Sequence, residues 1–230
     1  MRVWFGVSCA VLAACGVFTC VATSSAVAAR HEVCPTRRHV HVVEHDLRAE
    51  VYQGYYGELK GCSFATGRSY PLGPYFEAAS QGSHGISPPV LAGNYVAYQL
   101  IHQPFEAEPS DPTSWYIVVR DLRSGRIVHK EPTGTSSEPA EIGLNEASSL
   151  VVSDTGAVAW IVINRQTSCQ TKPERHCAQV HVIDRDGARV VAEALAEEFG
   201  TLGINVESLR LRGQTLSWLQ DETRKHLTLH

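Results

Sequence analysis

Ser153-Asp154-Thr155-Gly156-Ala157-Val158-Ala159-Trp160 decides how this chain reads. A polar turn with glycine leads into an apolar strand that ends on an aromatic ring, which is the grammar of a β-hairpin. The same order recurs in Leu91-Ala92-Gly93-Asn94-Tyr95-Val96-Ala97-Tyr98 and in Leu211-Arg212-Gly213-Gln214-Thr215-Leu216-Ser217-Trp218. The matching aromatics, Tyr98, Trp160 and Trp218, stand 62 and 58 residues apart. A fixed period of that size marks a repeat architecture.

A second pattern alternates with the first. It reads Gly61-Cys62-Ser63-Phe64-Ala65-Thr66-Gly67-Arg68, Val118-Val119-Arg120-Asp121-Leu122-Arg123-Ser124-Gly125-Arg126 and His181-Val182-Ile183-Asp184-Arg185-Asp186-Gly187-Ala188. Each is a strand, a turn whose glycine suits a positive φ, and the start of a further strand. Gly67, Gly125 and Gly187 are 58 and 62 residues apart, so both patterns share one repeat. Trp115-Tyr116-Ile117-Val118-Val119 is almost wholly apolar, as in a strand buried on both faces, whereas Gln179-Val180-His181-Val182-Ile183 alternates with period two.

The pair of stretches 153–160 and 180–187 resembles the blade motif of TolB-type and WD40-like β-propellers, S-P-D-G-x-x-[IV]-A-[FW] followed by [IL]-[YW]-V-x-D-x-D-G. The whole region from about residue 45 onward is most similar to secreted propeller-like proteins of actinobacteria. The resemblance implies an all-β fold of repeated antiparallel four-stranded blade-like units, forming a small or incomplete β-propeller. Its units fall near 39–75, 85–131, 148–196 and 204–230 of one domain, 29–230. The first unit has no Asp-Gly turn, and the last is a strand short. A strand near 39–43 is the natural candidate to supply one. Residues 191–199 read either as a short helix with Gly200 beyond its end or as a strand ending near Ala192.

The N-terminal residues predict export. Met1-Arg2 opens the chain, residues 3–27 carry no charge, and Ala26-Val27-Ala28 is a small-x-small cleavage signal placing the cut before Ala29. Leu12-Ala13-Ala14-Cys15 resembles a lipobox, but apolar Gly16-Val17-Phe18 stands where a polar tether belongs. The expectation is a freely secreted or cell-envelope protein with no lipid anchor at Cys15 and no membrane segment once the signal is gone. The cysteines agree. Cys34, Cys62, Cys169 and Cys177 remain after cleavage, and an even number in an oxidising compartment predicts the local pairs Cys34–Cys62 and Cys169–Cys177. Neither spacing is the C-x(2–4)-C of a structural zinc site.

Composition excludes several classes. Net charge is −4, and charged residues make up 19% of the chain, which speaks against a nucleic-acid surface. There is no G-x-G-x-x-G after a strand, no P-loop and no H-E-x-x-H. Asp154-Thr155-Gly156 matches one half of an aspartic-protease pair, but a single copy at a hairpin position lacks the second carboxylate that chemistry needs. Ser83-His84 is not a nucleophile elbow. His39, His41 and His45 form the best metal-like set, because alternate residues on a strand share a face. The acidic groups Glu106, Glu108, Asp111 and Glu138, Glu141, Glu146 lack EF-hand spacing. Tyr52, Tyr55, Tyr56, Tyr70 and Tyr75 either pack across strands or line a binding surface. The expected function is that of a secreted, non-enzymatic binding or scaffold module without cofactor, for an extracellular ligand or protein. The alternatives are an extracellular hydrolase with its site on inter-blade loops and a metal-binding protein using the histidine set.

Overall fold

The computed structural model describes residues 32–35, 40–74, 84–102, 113–136, 147–164, 177–196 and 202–230. These residues are all-β and form four antiparallel sheets in chain order. Sheet 1 contains β1 (Glu32–Val33), β2 (His41–His45), β3 (Ala49–Gln53), β4 (Glu58–Ser63) and β5 (Arg68–Pro74), in spatial order β1-β5-β4-β3-β2. Sheet 2 contains β6 (His84–Ile86), β7 (Val90–Ala92), β8 (Tyr95–His102), β9 (Thr113–Asp121) and β10 (Arg126–Ser136). Sheet 3 is a simple meander of β11 (Ala147–Val152), β12 (Val158–Asn164), β13 (Cys177–Asp184) and β14 (Gly187–Leu195). Sheet 4 has three strands, β15 (Arg210–Arg212), β16 (Thr215–Gln220) and β17 (Thr223–Thr228).

The strand counts are therefore five, five, four and three, where four-stranded units with the last a strand short were expected, so the departures are the fifth strands of sheets 1 and 2. The extra strand of sheet 1 is β1, which lies beside β5 with Glu32 opposite Ser69. The extra strand of sheet 2 has a chemical cause. β6 pairs with residues 100–102 of β8, and β7 with residues 95–97, so the two make one strand with a gap. Pro88 and Pro89 fill that gap, and proline has no N–H to give a ladder. Ser87 bridges it: its N–H donates to Gln99 O at 2.9 Å, and its hydroxyl accepts from Gln99 N at 2.9 Å. Residues 191–195 are strand, not helix, because β14 stays paired with β13 as far as Leu195 opposite Cys177.

The turns repeat as the two sequence patterns demand. Gly93, Gly156 and Gly213 have positive φ at the first type of turn, and Gly67, Gly125 and Gly187 at the second. An aspartate opens three of the hairpins. Asp46, Asp121 and Asp184 each accept from the backbone N–H two residues ahead, at 2.6, 2.8 and 3.0 Å. This is the local bond that makes aspartate a turn former.

Three apolar clusters join the sheets in sequence. Ala49, Val51, Leu59 and Leu72 of sheet 1 meet Ile86, Val96, Tyr98 and Val118 of sheet 2. Ala97, Ile117 and Val119 on the opposite face of sheet 2 meet Val158, Trp160 and Val162 of sheet 3. Ala159, Ile161, Val180 and Val182 of sheet 3 meet Leu216 and Trp218 of sheet 4, together with Ile204, Leu209 and Leu229. The repeat aromatics Tyr98, Trp160 and Trp218 are all buried in these layers. The central strands β9 and β12 of sheets 2 and 3 thus bury both faces, which explains their near-continuous apolar runs. Among the described residues, no contact of comparable extent joins sheet 4 back to sheet 1. There is also no helix among them long and apolar enough to cross a membrane.

One polar tie fastens sheet 3 to sheet 4. The Asp184 side chain is fully shielded from solvent and accepts from Arg189 Nη1 at 2.6 Å and Nη2 at 2.9 Å. It also accepts from the His230 N–H at 3.2 Å, while Arg185 N–H donates to His230 O at 2.9 Å. The Arg189 hydrogen bonds hold the Asp184 carboxyl at about 2, below its ordinary 3.8, against the opposing effect of burial. A lowered folded-state pKa means that the carboxylate stabilises the fold above about pH 4, and that this contribution disappears as pH falls from 4 through 2. Urea midpoints measured at pH 5 and pH 2.5 should therefore fall further for the wild type than for Asp184→Asn. Equal falls in the two proteins would refute the assignment.

Candidate functional site

The period-two pattern of the last hairpin builds a surface unlike the rest of the molecule. In sheet 4, Arg210 lies opposite Ser217, and Ser217 lies opposite His226. Arg212 lies opposite Thr215, and Arg224 opposite Leu219. Leu211, Leu216, Trp218 and Leu227 point toward sheet 3 and join its core. Alternation then sends Arg210, Arg212, Thr215, Ser217, Arg224 and His226 to the other face. These six residues, together with Leu211 between the first two arginines, line a cavity of about 510 Å³. The turn that closes the hairpin, Asp221-Glu222, has φ of 51° and 61° at its two residues, which matches the twist of a tight two-residue connection.

The electrostatics of this face oppose those of the chain. Net charge is −4 overall, yet three guanidinium groups share one small face. None of them forms an ion pair with a carboxylate among the described residues. Arg210 Nη1 donates to the carbonyls of Glu207 at 2.9 Å and Leu209 at 2.6 Å, so backbone oxygens hold it in place without cancelling its charge. Arg224 Nη1 donates to Ser217 Oγ at 3.2 Å. Arranged guanidinium forks beside hydroxyl donors are suited to carboxylate, sulfate or phosphate oxygens. The face does not make a hydrolytic pair. Ser217 and His226 are cross-strand neighbours, but the Ser217 hydroxyl is bonded to Arg224 and not to the imidazole.

The structure disperses the residues singled out from sequence. His39 lies outside the described residues. His41 is opposite Gln53 and His45 opposite Glu50, with a β-bulge at Val43 between them. The extra residue changes the parity of the strand, so the two imidazoles leave on opposite faces. No group of three metal-ligating side chains occurs among the described residues. Cys34 and Cys62 form a disulfide with a Cα–Cα distance of 5.6 Å. Cys177 is buried and disulfide-bonded, while Cys169 is outside the described residues. Asp154-Thr155-Gly156 is a hairpin turn whose Asp154 packs against Gly93 of the neighbouring sheet. His84 begins β6, and Ser83 and both acidic groups lie outside the described residues.

The tyrosines divide. Tyr52 is buried with its hydroxyl 2.6 Å from Ser69 Oγ, and Tyr70 is buried against Gly125. Tyr55 and Tyr56 are 95% and 89% exposed at the β3–β4 turn, packed edge to face on each other. Tyr75 lies outside the described residues. Sequence reading missed the basic face altogether. Its signal was present in Arg210-Leu211-Arg212 and in the polar residues of β17, had period-two alternation been carried through to the last hairpin. No protein-family model matches the chain, and no curated protein is significantly similar to it.

Proposed function

We propose that this protein is an exported, non-enzymatic binding module whose four sheets are the blades of a small or open propeller and whose ligand is anionic. The observation that carries the reading is the set of three arginines that form no ion pair among the described residues, with His226, Ser217 and Thr215, around one cavity on the outer face of sheet 4. The propeller reading is supported by the order of packing, since each sheet lies face to face with the next along the chain. Export is supported by the N-terminal signal and by the Cys34–Cys62 bridge. Hydrogen bonds to the Glu207 and Leu209 carbonyls and to Ser217 Oγ hold Arg210 and Arg224, so a ligand finds two of the three guanidinium groups already placed.

Dextran sulfate is a suitable probe because it offers anionic oxygens without any peptide backbone. The full chain should bind it with an affinity that falls as salt rises, through screening of exposed charge. The triple variant Arg210→Ala, Arg212→Ala, Arg224→Ala should bind about tenfold or more weakly, about 1.4 kcal/mol or above in total. Wild-type affinity in the triple variant would overturn the reading.

A further inference from the structure

We propose that the free edge of β17 takes an extended acidic peptide as an added strand, with the peptide's carboxylates on the arginine face. The proposal rests on the anion-binding reading above and specifies its partner. The geometry of the hairpin identifies which backbone groups are free. Leu229 N–H donates to Gln214 O, so residues 229 and 214 are a hydrogen-bonded pair. The register continues this pairing at alternate positions, with 227 opposite 216, 225 opposite 218 and 223 opposite 220. The N–H and C=O groups of Arg224, His226 and Thr228 therefore point away from β16, along the open edge. Residues 223–226 and Thr228 are exposed, and no further strand pairs with β17 among the described residues.

Backbone and side chain point to the same ligand. Arg224 and His226 present free backbone groups to the edge and also line the cavity with their side chains. A strand added at this edge would set alternate side chains beside Arg224 and His226, at the usual cross-strand spacing. Acidic residues there would complement the arginines. Charge also argues against a second copy of this chain as the occupant. Two β17 strands paired with each other would bring Arg224, Lys225 and His226 of one against the same residues of the other, and like charges across a strand pair repel. Charged edges commonly deter self-pairing in this way. Six residues of β17 offer about 20 Å of edge, enough for a peptide of similar length.

The experiment uses the full chain and a synthetic nonapeptide that alternates glutamate and valine. Binding should be saturable. It should weaken about tenfold or more in three cases: when glutamates are replaced by glutamines, when alternate peptide nitrogens are methylated, and in His226→Pro. His226→Pro removes an outward N–H without touching the β16–β17 ladder. His226→Ala loses the same imidazole but keeps that N–H, so it should bind the peptide at least about threefold more tightly than His226→Pro, and equal binding of the two variants would overturn strand addition. Equal binding of the methylated and unmethylated peptides would overturn strand addition. Failure of every peptide to bind while dextran sulfate still binds would also overturn it, and would leave the anionic-ligand reading standing. Failure of both probes would overturn both.

Discussion

Gly125→Ala is expected to lower the free energy of unfolding by about 3 kcal/mol, the sum of two separate costs. Gly125 sits at the β9–β10 turn with φ of 73°, a conformation in which a Cβ is strained by about 1 kcal/mol or more. A Cβ at that position would also lie 2.2 Å from a ring carbon of Tyr70, in the adjacent sheet. Tyr70 is 3% exposed, so the ring has nowhere to retreat without pulling sheet 1 from sheet 2. Overpacking of this kind costs about 1–3 kcal/mol. Gly67 provides the control. It occupies the same turn position in sheet 1, has φ of 63°, and has nothing within 4 Å of its would-be Cβ. Gly67→Ala should cost only the backbone component, about 1 kcal/mol. Equilibrium urea denaturation of the two variants decides the matter. Equal costs would show that the tyrosine contact is not what requires glycine at 125.

The second large effect is loss of the Cys34–Cys62 bridge. The bonded residues are 28 apart, and closing a loop of that size restricts the unfolded chain by about 3.5 kcal/mol on chain-entropy grounds. Cys62 is completely buried, so its replacement should be small and apolar. Cys34→Ala with Cys62→Ala is expected to lower stability by about 3 kcal/mol, a large share of the 5–15 kcal/mol typical of a folded domain. The loss should be uneven across the molecule. β1 has two residues and holds to β5 through a short ladder extended by Cys34 N–H donating to Gly67 O at 3.0 Å. Without the bridge, the amide of Cys34's replacement should exchange with solvent before any amide of sheet 3. Unchanged protection at that position would mean that the ladder, not the bridge, secures the N-terminal strand.

The repeats were legible because they depend on backbone needs that leave a residue signature. A hairpin turn that requires positive φ shows itself as glycine, and this holds at Gly93, Gly156 and Gly213 and again at Gly67, Gly125 and Gly187. An aromatic residue held between two sheets shows itself at a constant interval, as Tyr98, Trp160 and Trp218 do. The Cys34–Cys62 pair was legible from parity and proximity. The histidine arrangement was not. His41 and His45 share a face in an ideal strand, but the register of β2 on β3 slips by one at Val43. A bulge depends on the partner strand as much as on its own residues, so no local pattern announces it. The β6–β7 gap was written in Pro88 and Pro89, yet proline alone does not say that the same neighbour receives both halves. The basic face escaped for a different reason. Arg210 and Arg212 come from β15, Arg224 and His226 from β17, with β16 between them, and only sheet topology assembles them. Overall composition even pointed the other way, because acidic residues elsewhere hide a local cluster of opposite sign.

Among the described residues each sheet is fastened to its neighbours in the chain, and this has a consequence for how the protein comes to be folded. Among the described residues, the larger contacts between sheets join sheets that follow one another in the chain, so little entropy is lost in closing long loops. Sheet 1 can pack as soon as sheet 2 has emerged, with no need to wait for residues near the C-terminus. Assembly can proceed from the first sheet to the last, as in other arrays with nearest-neighbour interfaces. On that view sheet 4, with one apolar neighbour and the fewest strands, is the last to set and the first to loosen.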